Sequence, residues 1–267
     1  MSKVVNSEIR KTIIKMVNKG NASHIGSAFS MVEILNSIFS SVNLNKIREQ
    51  SEDRDRVILS KGHGASGLYA VMYHHDLISK AAIDSYFKDG SIMAGHASHF
   101  IETVEHSTGA LGHGLSVALG VAIGSLSKEY KNRTFVVVGD GELHEGSNWE
   151  AIMYAGHKKV SNLCLMIDKN ERSQMGRTSS ACSLDPLSEK LEAFNFDTIE
   201  LTDGHNEAEL IKAILKTKNS SKPSAIICNT TKGKGVSFME DNNVWHYRPP
   251  SGVDYENALN ELNGIAK

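Results

Sequence analysis

TFVVVGDG, residues 134–141, is a short apolar run that ends in a glycine–aspartate–glycine turn. A short run rich in valine is typical of a strand that is buried on both faces of a parallel sheet. Segments with helical periodicity separate this run from other runs of the same kind, so the sequence predicts an α/β fold with a mostly parallel central sheet and helices on both faces. The other predicted strands are Arg56–Leu59, Leu163–Ile167, Thr198–Leu201 and Ala225–Cys228.

Capping residues and apolar periodicity mark the predicted helices. Ser7 is suited to cap a first helix, and Asn206 with Glu209 resembles a capping box at the start of a later one. Further helices are predicted around Met31–Ile38, Trp149–Gly156 and Val253–Ala266. Because no linker or repeat divides the chain, we expect a single domain over residues 1–267, and the closing helix favours a natural subunit over a truncated chain.

The composition excludes several classes of partner. Lys and Arg number 29 and Asp and Glu 31, a net charge of −2, which gives no electrostatic reason to bind nucleic acid or an anionic membrane. No apolar run reaches the roughly 18 residues of a membrane span, and the N-terminus lacks the apolar core of a signal peptide. The three cysteines are not spaced as a metal or redox pair. We therefore expect a cytoplasmic protein without nucleic-acid or membrane partners.

Oxygen-bearing side chains follow two of the predicted strands. Asp140 comes directly after the 134–138 strand, and Asn170 follows the 163–167 strand. Taken separately, each is an ordinary turn signal. Ligands of α/β sheets lie at the carboxyl ends of the strands, and Mg²⁺ prefers a few protein oxygens together with phosphate oxygens. At this spacing, we interpret the pair as a metal and phosphate site.

The run Gly139-Asp140-Gly141, continued by Glu145-Gly146 and by Asn170, resembles the thiamine-diphosphate motif. The resemblance implies that thiamine diphosphate is the cofactor and that Mg²⁺, or another divalent ion such as Ca²⁺ or Mn²⁺, anchors its diphosphate. Carried over onto this chain, the metal ligands are Asp140, Asn170 and the backbone carbonyl of Arg172.

Four further segments narrow the resemblance. They are residues 22–26 (ASHIG), 60–64 (SKGHG), 93–114 with the run STGALGHG, and 232–246 from KGKG to WH. In this order they are similar to the N-terminal, diphosphate-binding domain of transketolases over almost the whole chain. Alpha subunits of 2-oxo-acid dehydrogenases share the Gly-Asp-Gly…Asn motif, so such a subunit is an alternative, and a non-catalytic cofactor-binding subunit is another.

The resemblance also assigns roles to individual residues. His24 and His96 would contact the ketose hydroxyls and the reacting carbonyl, and His63 and His246 the cofactor diphosphate and the edge of the substrate site. Imidazole suits both tasks because it donates hydrogen bonds and carries protons near neutral pH. The other expected cofactor contacts are Gly109, Leu111, Gly141, Lys232 and Glu145, the last placed with Glu150 at a subunit interface and linked there to cofactor activation.

Two features qualify this assignment. His113 stands where many transketolases have glutamine, and Met175-Gly176 stands where they usually have Asp-Gly. The second departure leaves the metal ligands unchanged but implies an atypical sugar substrate.

The implied activity is transfer of a two-carbon ketol unit from a ketose or ketose phosphate to an aldose, as in the pentose phosphate route. The pyrimidine-binding and C-terminal domains would come from a second, C-terminal transketolase subunit, with two copies of each chain in a heterotetramer.

Overall fold

The computed structural model describes residues 2–264, and a five-stranded sheet runs through it. Each strand begins within one residue of its predicted start, and four of the five strands are short, mostly buried apolar runs. The strands are β1 (Arg56–Leu59), β2 (Thr134–Gly139), β3 (Leu163–Lys169), β4 (Asp197–Leu201) and β5 (Ser224–Asn229).

The strand order is β1-β2-β3-β5-β4, and every neighbouring pair is parallel. The carboxyl ends of all strands therefore lie along one edge of the sheet. In that edge Gly139 is paired with Asp168, and Asp168 with Cys228. β2 and β3, the two strands that Asp140 and Asn170 follow, are neighbours in the sheet.

Helices surround this sheet in the described part of the chain. Their bounds are α1 (Ser2–Gly20), α2 (Ile25–Ser30), α3 (Val32–Phe39), α4 (Leu44–Arg48), α5 (Ala65–His74), α6 (Lys80–Asp84), α7 (Gly114–Ser127), α8 (Gly146–Lys158), α9 (Thr178–Ala181), α10 (Leu187–Ala193), α11 (Glu207–Lys216) and α12 (Gly252–Leu262).

Two hydrophobic cores lie on opposite faces of the sheet, because successive strand side chains point in opposite directions. Phe135 and Val137 of β2 pack with α1, α2, α3, α5, α11 and α12. Val136 and Val138 pack with α7, α8 and α10. Helices thus cover both faces, and the predicted α/β fold class is confirmed.

Some local predictions were wrong. Ser7 does not cap the first helix, because α1 begins at Ser2, with no proline or glycine before Ser7 to interrupt it. The helix predicted around Trp149–Gly156 forms as α8, but its apolar residue Met153 is 55% exposed and does not join the core. Asn206 does cap α11, where its side chain accepts a hydrogen bond from the Glu209 N–H. The end of the last predicted helix, at Ala266, lies outside the described residues.

No helix between residues 2 and 264 combines the length and the apolar character needed to cross a membrane.

Candidate functional site

Asp140 lies at the carboxyl edge of the sheet, in the turn that follows β2. Its side chain is almost fully buried. One carboxylate oxygen accepts the Gly141 N–H at 2.8 Å, and the other accepts the Glu171 N–H at 2.7 Å. Burial, and then the charge of Asp168, raise the pKa of Asp140 to about 6. The fold thus holds a carboxylate beside the 170–172 loop in surroundings that penalise its charge.

Asn170 follows β3 in the neighbouring strand and is also buried. Its Nδ2 donates to Asp168 at 3.1 Å and to the Ser30 hydroxyl at 3.3 Å. Because the amide nitrogen faces a carboxylate, the amide orientation is fixed and Oδ1 faces the other way, where it accepts the Arg172 N–H at 3.1 Å. Asn170 therefore presents its oxygen on the side of the Arg172 backbone.

These residues fit a divalent ion by the chemistry of their donors. The proposed set is one carboxylate, one amide oxygen and one carbonyl, all hard oxygen ligands of the kind Mg²⁺ takes when phosphates complete its coordination. A cation would also offset the cost of the Asp140 charge. No three His, Cys, Asp or Glu side chains converge as a metal cluster in residues 2–264, and the proposed set contains a single carboxylate.

Asp168 holds the strand edge together, although the sequence reasoning gave it no role. It is fully buried and accepts hydrogen bonds from Lys61 Nζ at 2.5 Å, Ser30 Oγ at 2.6 Å and Thr230 Oγ1. Burial alone would raise the pKa of Asp168, but the charge of Lys61 and these donors lower it. In the sequence, the indication for Asp168 is that a charged residue directly follows the apolar run 163–167.

Glu142 forms hydrogen bonds to both the glycine-rich segment before α7 and the end of β2. The sequence did not indicate this role for Glu142. Its Oε1 accepts the Ser60 hydroxyl at 2.5 Å and the Gly112 N–H at 3.0 Å, and its Oε2 accepts the Gly139 N–H at 3.2 Å. Gly112 has a φ of +87°, and a Cβ there would meet the Glu145 Cβ at 2.6 Å. A glycine is therefore required for this close approach.

Four histidines that lie far apart in the sequence form one cluster. The His24 ring is central: its centroid lies 4.9 Å from His246, 5.2 Å from His63 and 5.9 Å from His96. His24 has a left-handed backbone, and its N–H donates to the His246 carbonyl at 2.7 Å. The predicted grouping of these histidines is thus what the fold produces.

The surroundings of the four clustered imidazoles lower their pKa values. Burial, and then the charges of His96, Lys232 and Lys61, lower the pKa of His24 to about 4. Burial and Lys232 lower the pKa of His246 to about 3. Burial lowers the pKa of His96 as well, and that of His63 falls well below its usual value. A neutral imidazole donates a hydrogen bond through one ring nitrogen and accepts one, or a proton, at the other, which suits binding of sugar hydroxyls and carbonyls.

Lys232 contacts both the histidine cluster and the metal loop (residues 170–173), which carries two of the predicted metal ligands. Its side chain is buried, and Nζ lies 3.0 Å from His246 Nδ1 and 3.3 Å from the Ser173 carbonyl. Since the lysine donates, His246 Nδ1 accepts and its proton resides on Nε2. The Arg172 carbonyl, the third predicted metal ligand, accepts from the same Nζ at 3.5 Å. One lysine thus contacts both parts of the predicted site.

The remaining predicted residues line or flank this region. A Cβ on Gly109 would lie 3.1 Å from the His96 ring, so Gly109 packs against that histidine. Leu111 is partly buried, and its carbonyl accepts from the exposed His113 ring at 3.1 Å. Glu145 and Glu150 are exposed on this chain, and Glu145 lies beside Gly112 rather than within the histidine cluster.

The unusual loop after Asn170 contacts the histidine cluster through a tyrosine. The Tyr247 hydroxyl donates to Gln174 Oε1 at 2.9 Å. The Tyr247 ring lies 4.7 Å from His246 and 6.1 Å from His24, and 58% of the side chain is exposed. Met175, in place of the expected acid, is 85% exposed. The departure from the transketolase pattern therefore lies at the rim of the cluster.

Comparison with known proteins identifies the family of the chain. The family model described as "Transketolase, thiamine diphosphate binding domain" matches residues 1–258. The chain belongs to the transketolase family. Its relatives include an apulose-4-phosphate transketolase subunit from Actinobacillus succinogenes, 38% identical over 95% of this chain and 92% of that protein. A 6-deoxy-6-sulfo-D-fructose transketolase subunit from Clostridium sp. is 33% identical over 95% of this chain and 93% of that protein.

Solved transketolases share the fold across nearly the whole chain. The transketolase from Leishmania mexicana matches 98% of this chain with a TM-score of 0.88 and 28% identity. The enzyme from Campylobacter jejuni matches 99% with a TM-score of 0.88 and 27% identity. This chain spans 41% and 43% of those two proteins.

Proposed function

We propose that this chain is the N-terminal subunit of a two-chain transketolase, which transfers a two-carbon ketol unit from a ketose or ketose phosphate to an aldose or aldose phosphate. The observation that carries the proposal is the contact of Lys232 with both the metal loop and the histidine cluster. Through that contact, the residues suited to a metal-bound diphosphate lie next to the histidines suited to a sugar, in a chain that belongs to the transketolase family.

Thiamine diphosphate and Mg²⁺ are the proposed cofactors. The donor set supports Asp140, Asn170 and the Arg172 carbonyl as metal ligands, and Ca²⁺ or Mn²⁺ offers the same coordination chemistry. Gly141, Lys232 and His63 would bind the diphosphate, with Gly109 and Leu111 beside the rings. When bound, the cofactor supplies an electron sink for cleavage of a carbon–carbon bond.

The histidines would act on the sugar. The His246 tautomer leaves Nε2–H as a donor, and His24 with its Nδ1 2.8 Å from the Ser23 hydroxyl is held in one orientation. His96 is the most exposed of the four histidines. We assign His24 and His96 to proton transfer at the ketose hydroxyls and carbonyl, and His246 to binding the substrate edge and the diphosphate.

The partner would be a chain with the pyrimidine-binding and C-terminal domains. Relatives that this chain spans by more than nine-tenths are named as subunits, which supports a split enzyme. The exposed outer side of α8, with Glu150, Met153 and Tyr154, offers a surface beside Glu145 for that contact. We propose that the enzyme contains two copies of each chain and that the present chain forms a single domain. We also propose a cytoplasmic location and a role in carbohydrate metabolism of the pentose phosphate type.

The family match argues against the alternative of a 2-oxo-acid dehydrogenase subunit. The histidine cluster argues against a subunit that binds cofactor without turnover, because binding the cofactor alone would give His24 and His96 no task. Ketol transfer, and not lipoyl reduction, is the reaction to assay.

The test is reconstitution with a second chain from the same organism that carries the two missing domains. The isolated chain should bind thiamine diphosphate weakly and transfer no ketol unit, and the mixture should be active at a mass of two copies of each chain by light scattering. Lipoyl reduction by the mixture, or full activity of this chain alone, would contradict the proposal.

A further inference from the structure

A buried ion pair outside the candidate site lies beneath the loop that carries Lys232. Arg10 of α1 donates to Glu33 of α3 through both terminal nitrogens, at 2.7 Å and 2.8 Å. Both side chains are at most 6% exposed. Such bidentate geometry fixes a carboxylate in position and orientation.

His205, in the turn before α11, continues this ion pair toward the loop. Its Nδ1 lies 2.9 Å from Glu33 Oε2, and its Nε2 lies 2.9 Å from the backbone nitrogen of Thr231. A backbone N–H can only donate, so Nε2 accepts and the ring proton is on Nδ1, where it donates to Glu33. Both ring nitrogens are used, and the imidazole is held in a single tautomer.

The loop held by His205 is the one that positions Lys232. The Thr230 N–H donates to the Lys169 carbonyl at 3.0 Å, and the Gly233 N–H donates to the Gly26 carbonyl at 3.0 Å. Between these two backbone contacts, the Thr231 N–H donates to a side chain, that of His205. The residue after Thr231 is Lys232, whose Nζ reaches His246 and the Ser173 carbonyl.

We propose that His205 is a positioning residue for Lys232, and that Arg10 and Glu33 serve to orient the His205 ring. His205 touches neither the histidine cluster nor the predicted metal ligands; it acts through the Thr231 backbone. The consequence for cofactor binding rests on the proposed function, whereas the hydrogen bond to Thr231 can be tested without it.

Two near-isosteric variants separate the two bonds of His205. In His205→Gln the side-chain oxygen can occupy the Nε2 position and accept from Thr231. In His205→Asn the amide occupies the Nδ1 position, so it can still donate to Glu33 but has nothing to offer Thr231. A purely structural role of a buried histidine would make the two variants equally poor. A positioning role makes the asparagine variant the worse one.

Hydrogen exchange on the full chain reads out the bond directly. In His205→Asn the Thr231 amide should exchange about tenfold faster, the size expected for one lost hydrogen bond, and in His205→Gln within threefold of wild type. In the assembled two-chain complex, calorimetry should show about tenfold weaker binding of Mg²⁺–thiamine diphosphate for His205→Asn and near-normal binding for His205→Gln.

Three results would overturn the proposal. They are unchanged exchange at Thr231 in His205→Asn, equal losses in both variants accompanied by equal drops in melting temperature, or faster exchange with normal cofactor affinity. If the wild-type complex itself neither binds the cofactor nor transfers a ketol unit, the proposed function fails, and the exchange experiment still decides whether His205 holds the loop.

Discussion

The buried pair of Lys61 and Asp168 should be the most sensitive point of the strand edge. Asp168→Ala would leave the Lys61 ammonium buried without its counter-charge, since the lysine is 1% exposed and the two groups are 2.5 Å apart. Breaking a buried pair from one side costs about 3–5 kcal/mol. Three other donors, from Ser30, Asn170 and Thr230, would lose their acceptor as well.

That loss is a large part of the roughly 5–15 kcal/mol by which a domain is stable. At about 2–4 °C per kcal/mol for a chain of this size, the melting temperature should fall on the order of 10 °C. Urea unfolding of the isolated chain, followed by circular dichroism, gives the free energy of unfolding. The double variant Lys61→Met with Asp168→Leu removes both charges and should cost less than the two single changes added together.

An exposed pair supplies the matched control. Lys80 and Asp84 lie 2.6 Å apart, and their side chains are 72% and 50% exposed. Asp84→Ala should therefore have the same free energy of unfolding as wild type within experimental error. If Asp168→Ala cost less than about 1 kcal/mol, or no more than Asp84→Ala, the view that burial makes this pair essential would be refuted.

The remaining predictions concern catalysis, pH and specificity. His24→Ala and His96→Ala should keep the melting temperature within a few degrees and bind cofactor, yet lose roughly 10²-fold in turnover of the complex; normal turnover would count against them. Burial alone would raise the pKa of Glu33, but His205 and Arg10 lower it to about 2. The resulting stability, roughly 3 kcal/mol, is complete above the unfolded pKa of about 4.5 and lost as pH falls toward 2. Urea unfolding of Glu33→Gln should show a shallower acid loss than wild type, and equal slopes would argue otherwise. Tyr247→Phe removes the bond to Gln174 and should change the ratio of kcat/KM between sugar acceptors, while unchanged ratios would remove Tyr247 from the substrate rim.

Local sequence pattern was enough to predict the sheet and the edge at which Asp140 and Asn170 lie. Short buried apolar runs mark β2 and β3, and the parallel arrangement brings Asp140 and Asn170 to one edge. The cofactor and the grouping of His24 with His246 came from the family resemblance, because 222 residues separate them in the sequence and no local pattern relates them.

The supporting contacts could not be predicted for the same physical reason. Lys61 and Asp168 are 107 residues apart, and Glu33 and His205 are 172 apart. Within its own segment of sequence, each of these charged or polar residues resembles a surface residue. Each becomes buried only when the helices pack on the sheet. At Ser7 the local pattern itself was misleading. Serine is a good capping residue, but the helix begins at Ser2 and Ser7 lies inside it.

The central claim is that the carboxyl edge of β2 and β3 binds the metal-bound diphosphate of thiamine diphosphate. Calorimetric titration of Mg²⁺–thiamine diphosphate into the assembled two-chain complex tests it most directly, with wild type compared against Asp140→Ala. We expect Asp140→Ala to bind at least about 100-fold more weakly, because a ligand of the ion is lost, and to lose its dependence on divalent metal. Binding as tight as wild type, with the complex intact by light scattering, would contradict the assignment.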